Sequence, residues 1–186
     1  GCTMKTVACE PLSSKIQGPL LISAHLFTDE RGQLAKFFRS DLRLGEFSHH
    51  GVTEVFHTTS HLHALRGLHF QRTPHEIEKI VHVLSGSILD VIVDIRSQSP
   101  TFKSVFSIKL DAKKKQSLYV PKGFAHGYLS LEPATCVLYL QSGSYHPTHE
   151  GGIHFASLGF DWGVSDPIVS QKDASYPNLE DVTWDC

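Results

Sequence analysis

The stretch Ala64–Arg96, ALRGLHFQRTPHEIEKIVHVLSGSILDVIVDIR, constrains this chain more than any other. It reads as strand, loop, strand, glycine turn, strand. Val, Ile and Leu form short runs bounded by Gly and Pro, the pattern of strands enclosed on both faces. Gly86 is expected to mark a hairpin turn. His69 falls within the first strand and Lys79 opens the second. A histidine and a lysine facing the interior of a β-structure are costly unless paired or used, so this stretch directs attention to chemistry.

The flanks continue the pattern. Leu20–Phe27 is expected to be a strand and Thr28–Gly32 a turn. Lys36–Phe47 is read as a strand end running into a short helix, and Val52–Thr59 as a strand. After a turn at Ser99-Pro100-Thr101, Phe102–Leu110 alternates as a strand should. Asp111–Lys115 is a solvated loop, and Ser117–Val120, Ala125–Leu131 and Thr135–Gln141 are further strands. Beyond Ser142 the chain is turn-rich, with an apolar patch at Phe160 and Trp162. Many short strands with little helix imply an all-β sandwich or barrel with short peripheral helices. Edge strands in such folds are often covered by a second copy, so a homodimer is expected. A chain of 186 residues is expected to form one domain over its whole length.

Composition excludes several classes. A formal charge of −2 gives no general attraction to nucleic acid or anionic membrane. No apolar run approaches the ~20 residues that span a bilayer. The opening GCTMKTV has no signal-peptide core, so a soluble cytoplasmic protein is expected. Gly1-Cys2-Thr3 are expected to be a cloning remnant before a native start at Met4. Cysteines at 2, 9, 136 and 186 form no CxxC, which excludes a disulfide framework or a thiolate zinc site. Cys136, in an apolar strand, is expected to be a small core residue. Thirteen histidines are the one compositional flag.

Five positions then combine into a chemistry. A histidine such as His69, oriented by a carboxylate such as Asp173, makes a base of fixed tautomer. Lys79 or His126 can hold charge developing on an oxygen. Tyr139 is a neutral acid able to return a proton to carbon. The set suits proton abstraction beside a carbonyl, through an enolate. Taken singly each residue has a structural reading, and Pro121-Lys122-Gly123-Phe124-Ala125-His126 is the most specific motif, since it matches the second motif of the cupin barrels.

The chain resembles the dTDP-4-dehydrorhamnose 3,5-epimerase family, whose members are cupin-type jelly rolls. The matching stretches are Asp29–Gly32, Arg66–Gln71, Lys79–Val81, Asp90–Phe102, Leu118–Tyr128 and Leu158–Trp162. The resemblance implies that His69 is the base alpha to a C4 ketone and Asp173 its carboxylate partner. It implies that Lys79 stabilises the enolate oxygen and that Tyr139 reprotonates from the opposite face. Arg66 and Arg31 match residues binding the diphosphate or neighbouring groups, and His126 matches a second pocket histidine. No cofactor or metal is implied.

The recognition positions depart from the family. Its Gln and Asn before the base appear as Glu54 and Phe56, and its Glu near the thymine appears as Lys36. The expected substrate is therefore a nucleotide-linked 4-keto-6-deoxyhexose, dTDP- or CDP-linked, from an O-antigen or antibiotic deoxysugar pathway, inverted at C3, C5 or both. Three other readings compete. A metal-dependent cupin dioxygenase or isomerase would use His61 and His63 with Glu76 or Glu78 and His126. A sugar-nucleotide 3,4-ketoisomerase would use histidine pairs. A non-catalytic sugar-nucleotide binder would need no base or opposing acid.

Overall fold

The computed structural model describes residues 7–182. Met4, the expected native start, lies outside them, as do the first three residues, Cys2 and Cys186. Two antiparallel sheets face each other as a cupin-type jelly roll. One has six strands in the spatial order β1 (Ala8–Pro11), β2 (Leu20–Ser23), β10 (Gln116–Val120), β7 (Glu78–Ser85), β12 (Thr135–Ser142), β5 (Glu54–Ser60). The other has five: β13 (Glu150–Gly152), β6 (Leu65–Gln71), β11 (Phe124–Ser130), β8 (Ser87–Asp94), β9 (Val105–Asp111). A separate two-stranded hairpin, β3 (His25–Asp29) and β4 (Gly32–Lys36), pairs with neither.

Alternation sorts the side chains into three cores. Val81, Val83, Ile88, Ile92, Leu118, Val137 and Tyr128 point between the sheets. Leu65, Leu68, Phe70, Val91, Val93 and Leu129 point outward from the five-stranded sheet, where Ile153, Leu158, Trp162 and Leu179 of the C-terminal segment cover them. Ile80 and Tyr119 point outward from the six-stranded sheet, under Leu44 and Phe47. Each fully buried aliphatic side chain contributes about 1.5–3 kcal/mol. The central strands β6, β7, β8, β10 and β11 are thus covered on both sides, which is why they read as near-continuous apolar runs.

Several expectations need correcting. Gly86 does not turn a hairpin: β7 and β8 belong to different sheets, and Gly86, at φ +80°, carries the chain across the corner between them. A Cβ at Gly86 would stand 2.3 Å from Thr135 Oγ1, so the corner needs glycine on two counts. Leu20–Phe27 breaks at Ala24, whose N–H bonds to Lys115; β2 stays in the sheet and β3 leaves it. The strand expected from Phe102 starts at Val105, because Phe102–Ser104 belong to a turn with Lys103 at φ +65°. The helix expected in Lys36–Phe47 shrinks to one turn, α1 (Phe47–His50). Cys136 is half-exposed on the outer face of β12, facing His57, because the inward phase of that strand is Val137, Tyr139 and Gln141.

Asp94 closes the end of β8. Its fully buried carboxylate accepts bonds from the Arg96 backbone and guanidinium at 3.0 and 2.9 Å and from the Ser99 and Thr101 hydroxyls, both at 2.6 Å. Burial alone would raise its pKa, but these donors pull it down to about 2. A carboxyl with a depressed folded pKa contributes stability above the unfolded value near 4, and that contribution is lost as pH falls toward 2. Asp94→Asn should therefore cost about 2 kcal/mol at pH 7 in urea denaturation. The gap from the parent should close as pH falls from 4 to 2.

Candidate active site

One stretch of the inter-sheet space is polar. From the five-stranded sheet come His69 on β6, His126 on β11 and Asp90 on β8; from the six-stranded sheet come Lys79 on β7 and Tyr139 on β12. His69 and His126 are direct cross-strand partners, so their side chains share one face. β6 and β11 meet closely there: a Cβ on Gly67 would lie 2.7 Å from the Gly127 Cα, and Gly67 sits at φ +110°. The register also shifts between His126 and Tyr128, a bulge that re-aims these side chains.

The C-terminal segment supplies the carboxylate. The short helix α2 (Gln171–Ala174) is N-capped by Ser170, whose Oγ accepts from the Asp173 N–H at 3.1 Å. Asp173 Oδ1 lies 2.7 Å from His69 Nε2, and Oδ2 accepts from the Gly67 N–H at 2.9 Å. Burial pushes the Asp173 carboxyl up, but the bond and charge of His69, with Gly67 and Lys172, hold it below the usual range. An ionised carboxylate only accepts, so Nε2 carries the proton and Nδ1 is left as the basic atom. Tyr176 packs edge-on against the imidazole, with centroids 5.8 Å apart.

Lys79 is buried, and desolvation lowers its pKa to about 8, with Asp90 and Glu150 pulling the other way. His126 is buried with Nε2 2.8 Å from Asp90 Oδ1; burial lowers its pKa. Burial, with Tyr128 and Asp90, raises Tyr139 well above its usual value, while Arg66 lowers it.

His69, Lys79, Tyr139, Asp173, His126, Arg66 and Phe56 line one cavity of about 270 Å³. A second cavity of about 360 Å³ shares His69 and Lys79 and opens toward Arg96 and Lys122. Phe56 stacks on Tyr139 at 4.7 Å and 11°. Three expected site residues stand apart. Arg31, with 85% of its side chain exposed, pairs with Asp29 at the tip of the separate hairpin. Lys36 is exposed on the same hairpin. Glu54 lies at the start of β5 and accepts from Gln141 Nε2 at 2.7 Å. Reading the sequence missed Asp90, which pairs with His126, and Lys172 and Thr58, which line the cavity. Asp90 alone left a signal, as an acid inside the run Ile88–Val93.

The metal reading loses its donor set. His61 and His63 are exposed in the β5–β6 connection, Glu78 accepts from the Glu46 N–H, and His126 is engaged by Asp90. Among the described residues no group of three His, Cys, Asp or Glu side chains is placed to hold a metal ion.

A model of the dTDP-4-dehydrorhamnose 3,5-epimerase family matches residues 13–181. A protein of that name from Mycobacterium tuberculosis is 37% identical over 174 residues, 90% of this chain and 86% of that one. The crystal structure of the Sulfolobus tokodaii dTDP-4-dehydrorhamnose 3,5-epimerase superposes with a TM-score of 0.86 at 35% identity, covering 96% of this chain and 99% of that one. The Bacillus anthracis enzyme, crystallised with TDP and PPi bound, superposes at 0.86 and 34% identity, covering 92% of this chain and 100% of that one.

The dyad geometry has a direct test. In Asp173→Asn the Gly67 N–H still calls for an oxygen at its own position, which turns the new amide NH₂ toward His69 Nε2. His69 should then switch its proton to Nδ1. Nitrogen-15 spectra of the ring should show an unprotonated Nδ1 in the parent and a protonated one in the variant.

Proposed function

The chain belongs to the dTDP-4-dehydrorhamnose 3,5-epimerase family, and on that premise we propose how its cleft inverts a sugar carbon. It is an isomerase-class enzyme of deoxysugar biosynthesis, acting on a nucleotide-linked 4-keto-6-deoxyhexose. The observation that carries the mechanism is the placement of His69, held by Asp173 of α2, on one sheet and Tyr139 on the other. His69 Nδ1 removes the proton from the carbon next to the C4 ketone, and Asp173 stabilises the imidazolium. Lys79, mainly cationic at neutral pH, holds the enolate oxygen, and His126 lies beside it. Tyr139, still protonated because burial opposes its ionisation, returns a proton from the opposite face. Removal from one side and return from the other inverts the centre.

Arg66 brings positive charge to the same cavity, with Lys172 beside it paired to Glu150, an arrangement suited to a diphosphate. The names and ligands of the relatives support thymidine diphosphate as the carrier. Phe56, which lines the cavity and stacks on Tyr139, bears on the sugar. Offered dTDP- and CDP-linked 4-keto-6-deoxyglucose in D₂O, the enzyme should place deuterium at C3, C5 or both, faster with the dTDP sugar. Absence of exchange with both donors would refute the mechanism; faster exchange with the CDP sugar would reassign the carrier.

The working unit is a homodimer in which the β3–β4 hairpin lies on the partner. The hairpin exposes Leu26, Phe27 and Leu34, the last at 56%, and apolar surface of this kind is usually covered. This arrangement gives Arg31 and Lys36 a role at the partner's cleft rather than their own. Sedimentation at micromolar concentration should return twice the 20.7 kDa of one chain; a monomer would contradict it.

A further inference from the structure

Gln71 is buried on the same face of β6 as His69, two residues further along the strand. Its amide serves two loops at once. Nε2 donates to the His75 carbonyl at 2.5 Å and to the Ser144 carbonyl at 3.1 Å, and Oε1 accepts from the His146 N–H at 2.8 Å. Only one orientation of the amide meets two carbonyls and an N–H. His75 belongs to the 72–77 loop, which rims the larger cavity, while Ser144 and His146 flank Tyr145. The two loops also meet ring on ring, His75 stacking on His146 with centroids 3.6 Å apart. A further bond runs between them from the Arg72 N–H to the His149 carbonyl, at 2.9 Å. Held on both sides, Tyr145 reaches a carboxylate: its hydroxyl donates to Glu150 Oε2 at 2.9 Å, the oxygen that Lys172 Nζ meets at 2.6 Å. Glu150 stands directly across the ladder from Gln71. Burial pushes the Glu150 carboxyl up, but Lys172 and Tyr145 hold it below its ordinary range. Lys172 lines the smaller cavity together with Arg66.

We propose that Gln71 is a positioning residue for the nucleotide end of the cleft: it clasps the residues on either side of Tyr145 and, through Tyr145 and Glu150, holds Lys172 where the substrate diphosphate arrives. This rests on the reading of the substrate as a nucleotide-linked sugar whose diphosphate lies beside Arg66 and Lys172. The three bonds of the clasp go to backbone groups of the two loops and none to His69, Lys79 or Tyr139. Its effect therefore falls on binding and leaves the proton transfers unchanged.

The test separates binding from turnover. Calorimetry gives the Kd for dTDP, and kinetics with dTDP-linked 4-keto-6-deoxyglucose give KM and kcat. Both are measured for the parent, Gln71→Leu, Gln71→Glu, Tyr145→Phe and the Gln71→Leu/Tyr145→Phe double variant. Gln71→Leu should raise the dTDP Kd and KM about tenfold with kcat within about twofold of the parent, the scale of a few lost hydrogen bonds that act on binding. Tyr145→Phe should also weaken binding, and the double variant should bind no more weakly than Gln71→Leu, because both changes cut one path. Gln71→Glu keeps the size and the acceptor but has no donor while ionised. Its KM, relative to the parent at each pH, should approach the parent's as pH falls and the carboxyl regains a proton to donate; this variant carries the test if Gln71→Leu does not fold. Parent-like Kd and KM in Gln71→Leu, or in Gln71→Glu at neutral pH, overturn the positioning role. A fall in kcat as large as the rise in KM, with a lowered melting temperature, marks a purely structural role and also overturns it. Additive losses in the double variant overturn the route through Tyr145. A parent that does not bind dTDP overturns the diphosphate reading and the clasp together.

Discussion

A carboxylate–imidazole bond of 2.7 Å joins residues 104 positions apart, Asp173 and His69. Without it, the cleft would hold a strand histidine of undefined tautomer. The bond forms because the C-terminal segment returns across the outer face of the five-stranded sheet, burying Ile153, Leu158 and Trp162. Ser170 then caps the short turn that aims Asp173 inward. Apolar packing on one side of the sheet thus sets the orientation of a base on the other side. The second oxygen of Asp173 is taken by the Gly67 N–H, so the carboxylate has little freedom to rotate away.

The remaining polar groups follow from the same enclosure. Interior dielectric raises the cost of every charge and strengthens every pairing. Lys79 is lowered to about 8 yet keeps its charge at neutral pH, helped by Asp90 and Glu150. Tyr139 is driven the other way and stays a neutral acid. His126 pairs with Asp90 and offers a second imidazole beside the first. On the proposed mechanism the two sheets divide the labour: His69 stands on one wall, held by Asp173 of the C-terminal segment, and Lys79 and Tyr139 stand on the other. A planar enolate between such walls is open to proton transfer at both faces.

Much of the fold was legible because β-branched runs bounded by Gly and Pro have few alternatives. Its failures have definite causes. A glycine between two apolar runs looks the same whether the strands pair or change sheets, and Gly86 does the second. The inward phase of β12 was hidden because Leu138 and Leu140 are as apolar as Val137 and Tyr139, both faces being partly covered. The central residues His69, Lys79, Tyr139 and Asp173 were identified through resemblance and their chemical types, and the fold brings them to one cavity. Thr58 and Lys172 escaped notice because their place at the cavity depends on cross-strand register and chain return, which no local pattern encodes. Arg31 and Lys36 belong to a hairpin that pairs with neither sheet of its own chain, so the fold of one chain does not bring them to its own cleft.

The most direct measurement is a crystal structure of the enzyme with a dTDP-linked 4-keto-6-deoxyhexose bound, in a variant slow enough to retain it. The C3 or C5 hydrogen should face His69 Nδ1, the C4 oxygen should meet Lys79 Nζ, and the Tyr139 hydroxyl should approach the same carbon from the other side of the ring. A sugar lying outside the space between the two sheets, or one with His69 and Tyr139 on the same face, would contradict the mechanism.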